Sequence, residues 1–191
     1  MKRRGFPIVI SGPSGVGKTT IARKVLAQDP LTAYSVSVTT RPARPGERHD
    51  EDYEFVSDEE FSALCASGEL AEWALVHGYH YGTRRSVIKE ITSSGRDVVM
   101  DIDIQGGMAL KRIFPESVLI FVLPPSRGVL EARLRGRATD DETVIETRLQ
   151  NATEELGWAP RYDHRVLNDD IERAVREVRG IIEAERRRRD G

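Results

Sequence analysis

The residues Gly12-Pro13-Ser14-Gly15-Val16-Gly17-Lys18-Thr19 carry the clearest chemistry in the chain. They fit G-x-x-x-x-G-K-[ST], the P-loop pattern. Glycines let backbone N–H groups converge on phosphate oxygens, and the start of a following helix favours the same anions. Lys18 is suited to reach β- and γ-phosphates, and the Thr19 hydroxyl to ligate Mg²⁺. This implies a nucleoside triphosphate and leaves the acceptor unnamed. Asp101 and Asp103 end an apolar run and offer carboxylates. They fit a Mg²⁺ site, reached directly or through water, and equally a plain strand end. Arg41 and Arg44 stand three positions apart in a loop holding two prolines and a glycine. Anion binding and simple solvation both fit that loop. Arg133, Arg135, Arg137 and Arg148 form a third basic group. It is suited to neutralise charge on a transferring phosphoryl group and, by closing over it, to exclude water.

These groups need elements to hold them. Pro7-Ile8-Val9-Ile10 reads as a strand before the P-loop, and Ile21, Ala22, Val25 and Leu26 as a helix after it, stopped by Pro30. Ser35–Thr39 alternates like a strand, as does Tyr53–Val56 more briefly. Ser57 and Glu60 form a capping box before a helix with Phe61, Leu64 and Cys65 on one face, ended by Gly68. Leu70–Val76 is a further strand, Gly78–Thr83 an aromatic-rich turn, and Val87, Ile88 and Ile91 mark a helix stopping near Gly95. Asp97–Asp103 and Val118–Leu123 read as buried strands, the latter apolar throughout as expected with both faces covered. A short helix opens at Gln105-Gly106-Gly107 and halts at Pro115, and another carries Leu130 and Leu134. Thr139 and Glu142 suggest a second capping box, ahead of a stripe of Ile145, Leu149, Ala152 and Leu156. Arg165–Asn168 is a last strand. Asp169 and Asp170 start a C-terminal helix whose Arg186–Arg189 tail reads as a solvated, dipole-compensating end.

Strands alternating with helices imply an α/β fold: a parallel sheet flanked by helices, with ligands at the carboxyl ends of the strands. The P-loop, both aspartates and the arginines after the strands fall on that edge. At 191 residues a single domain is expected. It comprises a core of 1–34, 93–133 and 162–191, an insert of 35–92 and a lid of 134–161. The formal net charge of −2 argues against a general nucleic-acid binder. The single cysteine, Cys65, excludes an intrachain disulfide and suits a reduced, cytoplasmic setting. No apolar run is long enough to cross a membrane. The four histidines are scattered, so no structural metal is expected.

The ordered set of motifs resembles the guanylate kinases, which move the γ-phosphoryl group of ATP to GMP. The likeness runs over nearly the whole chain. It is carried by the P-loop, Ser35-Val36-Ser37-Val38-Thr39-Thr40-Arg41, Arg44-Pro45-Gly46-Glu47, Tyr53, Glu72-Trp73-Ala74 and Tyr81-Gly82-Thr83. It continues in Asp101-Ile102-Asp103-Ile104-Gln105-Gly106, Arg133, Gly136-Arg137, Arg148 and Asn168-Asp169-Asp170. The resemblance implies a P-loop NTPase-type core with an inserted nucleoside-monophosphate-binding subdomain and a helical lid. It implies that Arg41, Arg44, Tyr53 and Tyr81 grip the GMP phosphate. Glu72 would accept from the guanine N1–H and amino group, Ser37 and Thr83 would donate to its carbonyl edge, and Asp103 would lie against the base. Only guanine offers a carboxylate two adjacent donors, and a mismatched buried group can discriminate by about 10⁴-fold. Arg133, Arg137 and Arg148, with Lys18 and Arg41, would form the catalytic set, and Asn168 and Asp169 would neighbour the adenine of ATP. The implied ligands are ATP with Mg²⁺ and GMP, with dGMP expected beside GMP, and no membrane or nucleic acid.

Several positions depart from that pattern: Asp50, where Gly or Asn is usual, Glu54, Ala138 and His164-Arg165. None removes a charge or hydroxyl from the implied sites. Two alternatives remain: a P-loop kinase of another phosphorylated small molecule, and a guanylate-kinase-like module that binds protein without catalysis. A GTPase switch is excluded, because no Asn-Lys-x-Asp signature occurs.

Overall fold

Two sheets organise the chain, and the order of their strands follows from which segments are apolar on both faces. A computed structural model describes residues 3–76, 78–136 and 142–190, without the side chains of 142–144 and 190. In chain order the elements are β1 (Pro7–Ser11), α1 (Lys18–Gln28), β2 (Thr32–Tyr34), β3 (Ser37–Thr39), β4 (Tyr53–Phe55), α2 (Asp58–Ala66), β5 (Leu70–Val76) and β6 (Tyr79–Arg84). There follow α3 (Arg85–Ser93), β7 (Asp97–Met100), α4 (Ile104–Ile113), β8 (Val118–Leu123), α5 (Arg127–Arg135), α6 (Glu142–Leu156), β9 (His164–Leu167) and α7 (Ile171–Asp190). The parallel sheet runs β2-β7-β1-β8-β9, and the second sheet β4-β3-β6-β5. Strands β1 and β7 are buried throughout, and β8 up to its last residue. That is why their sequences do not alternate.

Contacts divide the chain into two compact units: 1–8, 31–100 and 105–117, and 9–30, 101–104 and 118–191. In the first, β2 pairs with β7 from Thr32↔Asp97 to Tyr34↔Val99. Asp97 is fully buried, and its carboxylate accepts from Arg3 at 2.6 and 2.8 Å and from the Phe6 N–H at 3.2 Å. The second sheet packs Val38, Phe61 and Leu70 into one apolar cluster with Val56, Leu64 and Cys65 against it. Helix α2 supplies Phe61, and its start is held by the expected capping box: Ser57 Oγ accepts the Glu60 N–H at 3.1 Å, and Glu60 accepts the Ser57 N–H at 2.8 Å.

Two expectations about strands are corrected here. The alternating stretch 35–39 is not one strand. Strand β2 ends at Tyr34 in the parallel sheet, Ser35 is buried with its N–H on Val99 O at 3.1 Å, and β3 begins at Ser37 in the other sheet. The pattern is continuous, but the pairing partners change. Nor is 78–83 a turn. Only Gly78, at φ 83°, needs turn geometry; β6 follows at once, because it finds β5 on one side and β3 on the other. Asp50 adopts φ 64°, the left-handed region where Gly or Asn is the usual occupant. Glu54 accepts two hydrogen bonds from Arg84, which also donates to Glu69 at 2.9 Å.

In the second unit β8 and β9 pair from Ile120↔His164 to Leu123↔Leu167. Helices α1 and α7 lie together, tied by Lys24–Glu172 at 2.6 Å and Arg186–Asp29 at 2.7 Å. Arg186 is therefore no solvated tail residue: with side-chain exposures of 12% and 8%, it and Asp29 form a nearly buried pair. Arg188 and Arg189 turn back onto Glu185. The expected cap at Thr139, together with Ala138 and Arg137, lies outside the described residues.

Candidate active site

The P-loop follows β1 and leads into α1. Gly12 holds φ 145°, and a Cβ there would lie 2.5 Å from Val122 O. Gly17 holds φ 102°, and its Cβ would meet Asn168 Nδ2 at 2.6 Å. Both positions demand glycine on conformation and on space. Helix α1 begins at Lys18 with no side chain capping its first N–H groups, so the end of the helix dipole faces the loop. Lys18 Nζ donates to Gly12 O at 2.7 Å and Pro13 O at 3.1 Å, and the loop is closed by Val16 N–H on Pro13 O at 3.2 Å.

Behind the loop, the buried Asn168 Nδ2 donates to Val16 O at 2.7 Å. Arg133 donates to Val16 O at 3.4 Å and to Asn168 O at 3.1 Å. Asn168 is thus packed against the loop backbone, while Asp169 is exposed and pairs with Arg173. Past the end of β7, Asp101 accepts the Thr19 hydroxyl at 2.6 Å. Asp103 is half-buried, and its charge adds to the burial that raises Tyr162 and Glu155. Burial pushes the Tyr162 hydroxyl up to about 12. Arg148 lies half-buried on α6.

In the first unit, pairing in the second sheet aligns Tyr53 with Ser37, Ser37 with Thr83, and Thr83 with Glu72. One cross-strand row therefore carries a side chain from each of β4, β3, β6 and β5 on one face. Glu72 is 6% exposed and accepts the hydroxyl of the fully buried Thr83 at 2.5 Å. Its place depends on a bulge. Leu70 pairs with Arg84 but Glu72 with Thr83, so Ala71 is an extra residue. In a regular strand Leu70 and Glu72 would share a face. Here Leu70 joins Val38 in the apolar cluster, while Glu72 joins Ser37, whose side chain alternates with that of Val38.

Tyr81, two residues from Thr83 on β6, extends the same face. Its hydroxyl accepts from Arg41 Nε at 3.2 Å, and its ring stands edge-on to Tyr53 with centroids 6.0 Å apart. The Arg41 guanidinium lies 5.2 Å from the Tyr53 centroid. Arg41 is 8% exposed and donates to both Glu47 oxygens at 2.9 and 3.0 Å. Glu47 also accepts the Arg44 N–H at 2.8 Å, and the Arg44 side chain is exposed. Burial alone would raise the Glu47 carboxyl. Hydrogen bonds from Arg41 and the Arg44 N–H outweigh it and hold the group below its usual range. Within the loop of 41–47, Arg41 is therefore held in place by its partners, while residues 42–46 are exposed.

Sequence reasoning assigned no role to Glu47, Glu155 or Tyr162. The spacing of Arg41 and Glu47 held no pattern to read. Glu155 stands seven residues, two helical turns, after Arg148, and that spacing was the available signal.

A family model described as guanylate kinase matches residues 4–185. The guanylate kinase of Rhizobium meliloti is 50% identical over 189 residues, covering 98% of this chain and 86% of that protein. The guanylate kinase of Symbiobacterium thermophilum is 46% identical over 187 residues, covering 98% and 89%. Among solved structures, the guanylate kinase of Anaplasma phagocytophilum superposes with a TM-score of 0.82 at 36% identity, covering 97% of this chain and 88% of that one.

Proposed function

The chain belongs to the guanylate kinase family, and on that premise we propose that it transfers the γ-phosphoryl group of ATP to GMP, giving ADP and GDP. The observation that carries the choice of acceptor is the row of Ser37, Thr83 and Glu72. Glu72 is buried and accepts the Thr83 hydroxyl, and a carboxylate, with about four acceptor sites, suits the N1–H and amino group of guanine. Adenine presents an acceptor at N1 and would set it against the carboxylate in place of two donors, at a cost the burial of Glu72 makes large. Ser37 and Thr83 serve the carbonyl edge of the base. Arg41, Arg44, Tyr53 and Tyr81 bind the acceptor phosphate. Glu47 fixes the position of the Arg41 guanidinium. Asp103 is assigned to the base.

The P-loop residues Gly12 to Thr19 take the donor phosphates, with Lys18 on the β- and γ-phosphates. Asn168 and Arg133 support this reading by bracing Val16 O, which fixes the direction of the loop N–H groups. Arg148 and Arg137 neutralise charge on the moving group, and Asp169 is assigned to the donor base. No general base is needed, because the acceptor is a phosphate anion and positioning with charge neutralisation suffices. The segments 35–92 and 134–161 serve as acceptor subdomain and lid.

Mg²⁺ fits the residues present. The Thr19 hydroxyl and the Asp101 carboxylate are 2.6 Å apart, a pair of hard oxygens of the kind that shares Mg²⁺ with phosphates and water. Bound there, the ion would offset phosphate charge. Among the described residues no helix is long and apolar enough to cross a membrane. A coupled assay with ATP and each of GMP, dGMP, AMP, CMP and UMP tests the reading. Preferred turnover of GMP is expected, and faster turnover of AMP or UMP would overturn it.

A further inference from the structure

The row of Tyr53, Ser37, Thr83 and Glu72 has a reverse side, and one guanidinium spans it. Strand alternation puts Glu54, Val38, Gly82, Arg84 and Leu70 on that side. A Cβ at Gly82 would meet Leu70 Cδ1 at 2.8 Å and Phe61 Cζ at 3.3 Å, which sets this side against the apolar cluster. Arg84 Nε and Nη2 donate to the two oxygens of Glu54 at 2.7 and 2.5 Å, and Nη1 donates to Glu69 at 2.9 Å. Strand β3 lies between β4 and β6, so the fork reaches across an intervening strand, about 10 Å of sheet, to find Glu54. Its other arm meets the residue just before β5. The side chains of Arg84 and Glu54 are 24% and 21% exposed, and that of Glu69 is 53% exposed. The Arg84 hydrogen bond outweighs burial and holds the Glu54 carboxyl below its usual range.

Each anchor is a near neighbour of a row residue. Glu54 follows Tyr53, Arg84 follows Thr83, and Glu69 precedes Glu72 by three positions. Strands β4 and β5 are the edges of this sheet, and they carry the two ends of the row. Strand β5 also holds the bulge at Ala71. A bulge is a place where a strand can slide by one residue, and such a slide exchanges its faces. The chain is pinned twice at this place: Glu69 O accepts the Arg85 N–H at 2.8 Å, and the Glu69 carboxylate accepts Arg84 Nη1. A salt bridge that served stability alone could lie anywhere on the sheet. This one joins both ends of the row through an inner strand. We propose that Arg84 is a positioning residue for the acceptor base: with Glu54 and Glu69 it straps both edge strands to β6 and keeps Glu72 in line with Thr83 and Ser37. The strap acts from the reverse side and does not touch the nucleotide. This rests on the acceptor-row reading above.

Steady-state kinetics with ATP and either GMP or inosine monophosphate are run on the wild type, Glu54→Gln, Glu69→Gln, Arg84→Met, the Glu54→Gln/Arg84→Met double variant and Glu72→Gln, with a thermal melt of each. The inosine nucleotide differs from GMP only in lacking the amino group, so the ratio of the two kcat/KM values reports where the carboxylate stands. Glu54→Gln keeps the shape and removes the charge. It is expected to raise the KM for GMP about 3- to 10-fold and to lower that ratio by a similar factor, with kcat and the KM for ATP unchanged. Glu69→Gln is expected to act in the same direction by about 2-fold, because its carboxylate is exposed. The double variant is expected to be no worse than Arg84→Met alone, since the two side chains share one interaction. If Arg84→Met melts early, the two glutamine variants carry the test. A lower melting temperature with the ratio and the KM for GMP unmoved overturns the inference and spares the row reading. A ratio untouched by Glu72→Gln overturns both.

Discussion

The two candidate sites are built in opposite ways. The proposed donor site is a backbone structure: consecutive residues fold into a loop, and side chains such as Asn168 and Arg133 brace it from behind. The acceptor site is made of side chains: one residue from each of four strands, brought into a row by pairing alone. A backbone site tolerates little change in chain conformation and reads only charge. A side-chain row tolerates exchange at each position and can read a base. On the proposed reading, binding phosphate and choosing a purine fall to different kinds of structure.

The contrast can be broken by experiment. The largest effect is expected from Lys18→Met, with kcat falling about 10³-fold while the melting temperature and GMP affinity stay put. Steady-state kinetics with a thermal melt check it, and a surviving rate would mean that the loop is not the donor site. Glu72→Gln is expected to lower kcat/KM for GMP about 10²-fold, with the KM for ATP unchanged. Equal damage to both substrates would end the division of labour.

Asp97→Asn lies outside both sites and sharpens the comparison. It weakens an ion pair of which only the Asp97 carboxylate is fully buried, and because Arg3 is partly exposed we expect a loss of about 2 kcal/mol in denaturant unfolding, less than for a wholly buried pair. Below the melt, the ratio of the two KM values should not move. The smallest effect is expected from Asp50→Gly, which relieves the φ of 64° and gains about 0.5–1 kcal/mol in the same unfolding measurement.

Legibility follows the same division. The donor loop could be read directly, because its ligands are consecutive and their spacing is the mechanism. The capping box at Ser57 and Glu60 was legible for the same reason. The acceptor row was not: Tyr53, Ser37, Thr83 and Glu72 align only once strand register is known, and only the family likeness singled them out beforehand. Strand β6 was read as a turn because tyrosine, histidine and glycine near Gly78 suit either state until partners are present on both sides. Arg3 and Asp97, 94 positions apart, and Arg186 with Asp29 left no mark in the local pattern. Each is a single charge whose partner is set by tertiary contact.

The extra residue at Ala71 has a consequence for how this sheet can change. Deleting it would force a choice: either the leucine leaves the greasy side or the glutamate turns away from the polar one. The strand serves two masters only because its count is off by one. If this row reads the base as proposed, its choice is open to replacement at positions 37, 72 and 83, and closed to any change in length between 70 and 72.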